Sequence, residues 1–312
     1  MNRVSPEIKK MSLIKQHKTG LILLAYISPF MMMVIIFNYI PIFGWAMAFV
    51  NYKPGIPIFQ SSFVGFKYFQ RAFSLSSDFW IALRNTLALS FINIAFSVVP
   101  VVFAVMISQV RMLSYSRVIQ TLSSIPNFIS WILIYSIVFY LIGADQSGLN
   151  KFLLSLGFIS EPLSPLINPR IAWIIQPLIG AWKSTGYAAI IYLAAISGID
   201  PELYQAADVD GASGFQKIIH VTLPGISSTY FVLLLLAISN LLSNGFEQYW
   251  LFGNGLTWNV LEVFDTYVYR MGIEKSEYAF ATAIGIFKSL VSVFLLTIAN
   301  FLSKLIRGES IF

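Results

Sequence analysis

The chain has 312 residues, 57% of them hydrophobic and 11% charged, with a formal charge of +6, no cysteine and a mean hydropathy of +0.75. About a quarter of the residues in an ordinary soluble domain are charged, so this composition cannot clothe a globule that meets water on every side. An aromatic content of 16% excludes intrinsic disorder, the lack of cysteine excludes a disulfide scaffold, and two distant histidines, His17 and His220, argue against a metal centre. No Lys/Arg stripe marks a nucleic-acid face. A membrane protein remains.

A helix needs about 20 apolar residues to cross the bilayer core. Six such stretches follow in chain order, at roughly residues 20–40, 82–109, 118–143, 171–197, 225–245 and 278–303. The first follows a basic leader with Arg3, Lys9, Lys10, Lys15 and Lys18, which imitates a signal peptide down to Ala46-Met47-Ala48. Its apolar run exceeds the 7–15 residues of a signal core and five more spans follow, so an uncleaved first helix is expected. The expected fold is all-α, a polytopic bundle of about six transmembrane helices. It divides into a leader (1–19), a membrane domain (20–303) with a cytoplasmic segment at 200–224, and a tail (304–312).

Cytoplasmic segments retain Lys and Arg. With the N-terminus inside, segments 1–20, 110–117, 198–224 and 304–312 hold ten of them, against seven in the longer outer segments 41–79, 144–170 and 246–277. Both termini are therefore expected in the cytoplasm. Trp45, Tyr52, Trp80, Trp173, Tyr249 and Trp250 fall near the span ends as interfacial belts, and Gly253-Asn254-Gly255 reads as an outer loop turn. Arg84, Lys183 and Lys288 lie near or within spans, where a charge must snorkel, pair or face a water-filled cavity. The Trp182–Tyr187 neighbourhood makes Lys183 the cavity-facing candidate among them.

Residues 200–224 are the most informative. Asp200 can cap a helix with Pro201 at its first position and Glu202 at the positive end of the dipole, running to about Val209. Gly211 permits a left-handed residue just beyond, and Ser213 can cap a second helix, which Pro224 is expected to close off from the fifth span. The residues alone leave two uses open, an amphipathic hairpin on lipid headgroups and a helix that lies in a partner's groove. Within the fifth span, Asn240, Ser243, Asn244 and Glu247, spaced by three or four, predict one polar helix face running outward. Trp131, Tyr135, Trp182 and Tyr187 are candidate stacking platforms in the third and fourth spans.

Gln205-Ala206-Ala207, Asp210-Gly211-Ala212, Phe215 and Val221-Thr222-Leu223-Pro224, with nine residues separating Gly211 from Val221, resemble the EAA motif of ATP-binding-cassette importer permeases. Gln205 stands where that family usually has Glu, and Val221 where it usually has Ile. Ile40-Pro41-Ile42-Phe43-Gly44, Phe63-Val64-Gly65-Phe66, Asn85-Thr86-Leu87, Phe246-Glu247-Gln248 and residues 265–270 (DTYVYR) resemble the carbohydrate branch of those permeases.

The resemblance implies a multi-pass cell-membrane subunit, not itself an enzyme, forming the path for an oligosaccharide. It further implies a second permease, two ATPases and an extracytoplasmic solute-binding protein as partners. Glu202, Gln205, Ala206, Ala207, Asp210, Gly211, Ala212 and Phe215 would couple to the ATPases. The substrate path would draw on Trp131, Tyr135, Trp182, Lys183, Tyr187, Asn240, Asn244 and Glu247. No phosphate-binding loop is present, since the Gly180–Thr185 stretch lacks the spacing and the second glycine; no cofactor or metal is expected on this chain, and ATP and Mg are expected on the ATPases. A self-contained secondary transporter or channel is the alternative, but its intramembrane acids are missing, because the fourteen Asp/Glu lie almost wholly in loops.

Overall fold

A computed structural model describes residues 6–74, 78–143 and 147–307. The ends of the expected leader (1–5) and tail (308–312) lie outside the described residues. Fifteen α-helices succeed one another among those described: α1 (Pro6–Val34), α2 (Lys67–Ala72), α3 (Phe79–Phe96), α4 (Val98–Ser108), α5 (Leu113–Phe128), α6 (Trp131–Val138), α7 (Gly148–Ser155), α8 (Pro169–Ser197), α9 (Pro201–Val209), α10 (Gly214–Lys217), α11 (Leu223–Ser239), α12 (Glu247–Phe252), α13 (Trp258–Leu261), α14 (Phe264–Tyr269) and α15 (Tyr278–Arg307). An isolated antiparallel bridge, Val50 with Phe63, is the one piece of extended pairing among the described residues.

Several of these helices join end to end. α1 continues through a π-turn into a 3-10 helix, Ile40–Phe49, so the first apolar run extends from Gly20 to Phe49. α3 and α4 meet at Ser97 and make one 30-residue run, about 45 Å of helix at 1.5 Å per residue. Five runs are long and apolar enough to cross a membrane, beginning at Gly20, Phe79, Trp131, Gly214 and Tyr278. α8 is the sixth long helix, 29 residues opened by an Asn168 cap and Pro169.

The third expected span is not one helix. Its chain breaks at Ile129 and Ser130, which are extended, and Ser130 then caps α6 by accepting from the Leu133 N–H. Pro126, in the last turn of α5, has no N–H to give the Leu122 carbonyl, which weakens the helix just before the break.

α8 lies at the centre and packs against α3, α4 and α5. At Gly186 it has no room for a Cβ against the Ser123 backbone of α5, the close helix approach that small residues permit in membranes. Val101, Ala104 and Val105 of α4, Ala189 and Tyr192 of α8 and Ile226 of α11 form one buried cluster. A second gathers Phe79 and Ala82 of α3, Phe264 and Tyr267 of α14, and Phe280, Ala281 and Ile284 of α15. The apolar window that α1 opens buries nothing within the chain: Leu21 and Phe30 of α1 are 67% and 70% exposed, and Phe43 of the 3-10 helix is 80% exposed.

Residues 247–275 form a cap over one end of the bundle. Asn85 of α3 donates to the carbonyls of Asn259 and Glu262 (3.1 and 3.0 Å), Thr86 Oγ1 accepts from the Phe264 N–H (2.9 Å), and Trp173 of α8 donates to the Val260 carbonyl (2.7 Å). Arg84 spends its charge on the Asn85 side chain and the Asn259 carbonyl. The Asn85-Thr86-Leu87 stretch is thus the anchor of this cap.

Candidate functional site

The two polar features picked out in the sequence sit at opposite ends of one helix. Contrary to the expected stop at Pro224, the chain from Gly214 runs through a π-turn, Ile218–Thr222, directly into α11, so that Gly214–Ser239 is a single 26-residue helical run. The wider π-turn absorbs the proline, whose missing N–H falls in the first turn of α11. That helix spans about 39 Å.

Local chemistry builds the first end. The Asp200 carboxylate accepts from the Glu202 N–H (2.9 Å) and α9 begins at Pro201. Its end is closed by Gly211 at φ +73°, with the Ala212 N–H on the Ala207 carbonyl (2.9 Å) and the Gly211 N–H on the Asp208 carbonyl (3.1 Å), the paired bonds of a Schellman cap. Ser213 and Gln216 form a reciprocal capping box that starts α10. Lys217 pairs with Asp208 at 2.7 Å, and Tyr204 reaches Thr222 at 3.0 Å, so the corner is braced against the base of the long helix. Glu202, Gln205, Ala206, Asp210 and Gly211 are exposed, Ala207 and Ala212 half-buried, and Val209 and Phe215 stand 88% and 71% in the open.

At the other end the structure departs from the sequence reading. α11 stops at Ser239, so Asn240, Ser243, Asn244 and Glu247 do not share a helix face. Residues 240–246 form an irregular break and Glu247 opens α12, exposed. Helical spacing fails here because acceptors elsewhere in the chain claim the backbone: Asp265 Oδ2 takes the N–H groups of both Asn244 and Gly245 at 3.0 Å, and Gly245 sits at φ +91°.

The break opens on a cavity of about 210 Å³ between α3 and α11, lined by Ser90, Asn93, Ser97, Asn240, Ser243 and Asn244. Asn244 Nδ2 donates to Ser90 Oγ (2.9 Å), which donates to the Leu241 carbonyl (2.6 Å), while Tyr249 holds Asn93. Asn244 Oδ1 is buried and accepts nothing. Ser90, Asn93 and Ser97 were missed in the sequence, although their spacing of three and four puts them on one face of α3.

A larger cavity, about 480 Å³, lies between α3, α4, α5 and α8 and is walled by Phe96, Phe103, Leu122, Leu178 and Trp182 among others. Polar ligand groups left unpaired in such an apolar space would pay their full desolvation cost, whereas the smaller cavity offers amide and hydroxyl partners. Trp182 and Tyr187 are about half exposed. Trp131 and Tyr135 are committed to packing: Tyr135 sits edge-on to Phe252 at 5.1 Å, and Trp131 lies beneath Lys183.

Lys183, expected to face a cavity, instead fastens the break in the third span. Its ammonium donates to the carbonyls of Pro126, Asn127 and Ile129 at 3.1, 2.9 and 2.6 Å, taking up all three of its protons on the end of α5. A cation on helix-terminal carbonyls also meets the negative end of the helix dipole.

Residues 97–308 match the family described as "Binding-protein-dependent transport system inner membrane component". The chain belongs to this family. It is 39% identical over 290 residues to Protein LplB of Bacillus subtilis (strain 168), covering 91% of this chain and 89% of that one. To the polygalacturonan/rhamnogalacturonan transport system permease protein YteP of the same organism it is 38% identical over 282 residues, covering 89% and 86%. Among solved structures, a bacterial alginate ABC transporter in complex with an alginate pentasaccharide-bound periplasmic protein superposes with a TM-score of 0.85 at 33% identity, over 95% of this chain and 98% of that one. The chain is therefore a multi-pass permease subunit of an ATP-binding-cassette importer, a transport component and not an enzyme, and the self-contained secondary transporter is set aside.

Proposed function

We propose that the chain forms one half of the path by which an oligosaccharide, handed over by a solute-binding protein outside, crosses the cell membrane under the drive of ATPases docked at residues 200–224. The observation that carries this reading is the continuous helix from Gly214 to Ser239. It begins at a braced, exposed corner and ends at a cavity whose polar lining is amide and hydroxyl, the groups that pair with sugar hydroxyls. A rigid element joining the two ends can carry a shift at the corner into a change at the cavity, which is how one equilibrium biases both sites.

Exposed Val209 and Phe215 beside small Ala206 and Gly211 suit docking into a groove on a partner better than a headgroup-resting hairpin. That partner would hold the ATP and Mg, and both termini of this chain would lie on its side of the membrane. The bare apolar face of α1 supports a second permease, different in sequence or not, as a neighbour in the membrane beside lipid. The sugars printed in the names of the YteP relative and the structural neighbour support a fragment of a complex polysaccharide as cargo.

The absence of cysteine makes the test direct. Single cysteines introduced at Gln205 or Ala212 in the reconstituted importer should cross-link to an ATPase subunit, and an oligosaccharide-loaded binding protein should stimulate ATP hydrolysis. A functional complex that never cross-links at either position would return the segment to the lipid surface.

A further inference from the structure

The break that follows α11 raises a question of donors. A chain leaving a helix inside a membrane protein must find acceptors for the N–H groups that the helix no longer satisfies. Ser243 N–H reaches the Asn240 carbonyl at 2.8 Å, but the next two donors, on Asn244 and Gly245, have one shared acceptor, Asp265 Oδ2. The other oxygen of that carboxylate is hydrogen-bonded by Lys288 of α15, and both side chains are about one-fifth exposed at 20%.

The carboxylate is itself held rigidly. Asp265 lies between Phe264, wholly buried, and Thr266, whose hydroxyl takes the Val263 N–H at 3.0 Å and caps the start of α14; Tyr267, 1% exposed, follows. The 265–270 stretch thereby presents one preorganised anion to the break, while Ser90 secures the break from the opposite side through Asn244 Nδ2 and the Leu241 carbonyl.

We propose that Asp265 is a positioning residue of the transport path: by accepting the Asn244 and Gly245 N–H groups it keeps α11 from winding on, and so turns Asn244 and Ser243 toward the polar cavity. Lys288 is its counter-ion, which lets a carboxylate stand at this depth without an uncompensated charge. Were the acceptor lost, the two donors would be satisfied most cheaply by extending the helix toward Glu247. That would rotate the cavity-lining side chains by about 100° per residue.

Charge balance and acceptor role separate experimentally. Asp265→Asn with Lys288→Gln removes both charges yet keeps an oxygen for the two N–H groups and a new side-chain pair. Asp265→Ala with Lys288→Met also removes both charges and leaves the N–H groups without an acceptor. Each pair is placed in a Ser243→Cys background of the full importer, and assembled complex is reacted with a membrane-impermeant methanethiosulfonate.

The Asn/Gln pair is expected to label within about threefold of the parent, and the Ala/Met pair to differ from it by about tenfold or more, the scale set by losing hydrogen bonds to a charged acceptor. Failure of the Ala/Met pair to assemble beside an assembled Asn/Gln pair also supports the acceptor role, because the two differ in nothing else of electrostatic consequence. Equal labelling in both pairs and the parent overturns the proposal, as does loss of assembly in the Asn/Gln pair. The bearing on transport rests on the path reading above, and substitution of Asn244, whose readout is uptake, tests that reading separately.

Discussion

The corner at residues 200–217 and the break at residues 240–246 do comparable jobs, each turning the chain out of a helix and presenting polar groups, yet they are built on opposite principles. The bonds that shape the corner all stay within residues 200–222: Asp200 to Glu202, Ala212 to Ala207, Ser213 to Gln216, Lys217 to Asp208 and Tyr204 to Thr222. The break is shaped by Asp265, 21 residues further on, and by Ser90, 154 residues back. A corner made of local bonds keeps its form whatever the rest of the bundle does, which suits a lever pushed by another protein. A break made of contacts from α3 and α14 changes when those helices move, which suits a site that must open to either side.

The largest effect should come from damaging the corner. Gly211 has open space around its Cα, so a side chain would clash with nothing; the obstacle is its φ of +73°. A β-branched residue held there costs on the order of 1–3 kcal/mol, enough to unseat the Schellman cap and change the angle between α9 and α10. In Gly211→Val, uptake should fall by about tenfold or more while ATP hydrolysis continues, measured on the same reconstituted complex. Coupling that survives intact would mean that the corner does not act as a lever.

The local half of this comparison was legible in the sequence and the tertiary half was not. Asp200, Pro201, Gly211 and Ser213 announce a helix start, a left-handed residue and a second start by rules that need no other part of the chain. Pro224 obeyed a local rule too, but the π-turn before it supplied the slack that let the helix continue. The polar residues of the fifth span showed correct helical spacing, and the spacing misled because a carboxylate in α14 competes for the backbone. Lys183 was conspicuous as a charge within a span, but its partners are carbonyls, which every residue carries and no sequence pattern marks.

A smaller but clear loss should follow Asn244→Leu, which leaves the backbone N–H on Asp265 in place and removes only the amide from the cavity. One lost hydrogen bond to Ser90 and one lost acceptor for a sugar hydroxyl together justify a fall in uptake of about tenfold, with assembly unchanged by size-exclusion chromatography. Normal uptake would take the break out of the path and leave it a structural feature.

Lys183→Met should act on stability in place of transport. It strips three acceptors at the end of α5 of their donor, and a hydrogen bond involving a charged group contributes about 1.5–3 kcal/mol, discounted here because the side chain is only partly buried. A fall in the melting temperature of the purified complex is expected, with Lys183→Arg intermediate because its planar fork cannot converge on three carbonyls as an ammonium does. An unchanged melting temperature would show that the break in the third span holds without its fastener.

The smallest effect tests the cap at residues 247–275, where charge is again placed by distant contacts. Burial pushes the Glu262 carboxyl above the usual carboxylate range, against hydrogen bonding from Arg270, whose two bonds to it measure 2.5 and 2.9 Å. Arg270 also reaches Asp78 at 3.1 Å, joining the cap to the start of α3. With the folded value above the unfolded one, the fold binds the Glu262 proton more tightly than the open chain does. The stability linked to that proton is complete below the ordinary carboxylate value and is lost as pH rises through the raised one. Glu262→Gln fixes the neutral form, so its melting temperature should lack that part of the decline as pH rises above the ordinary carboxylate value, while Glu262→Ala should lower stability at every pH by leaving the buried face of Arg270 unpaired. Parallel pH profiles for wild type and Glu262→Gln would mean that Arg270 holds this carboxylate ionised throughout, and that the cap is pinned by charge in the same manner as Asp265 by Lys288.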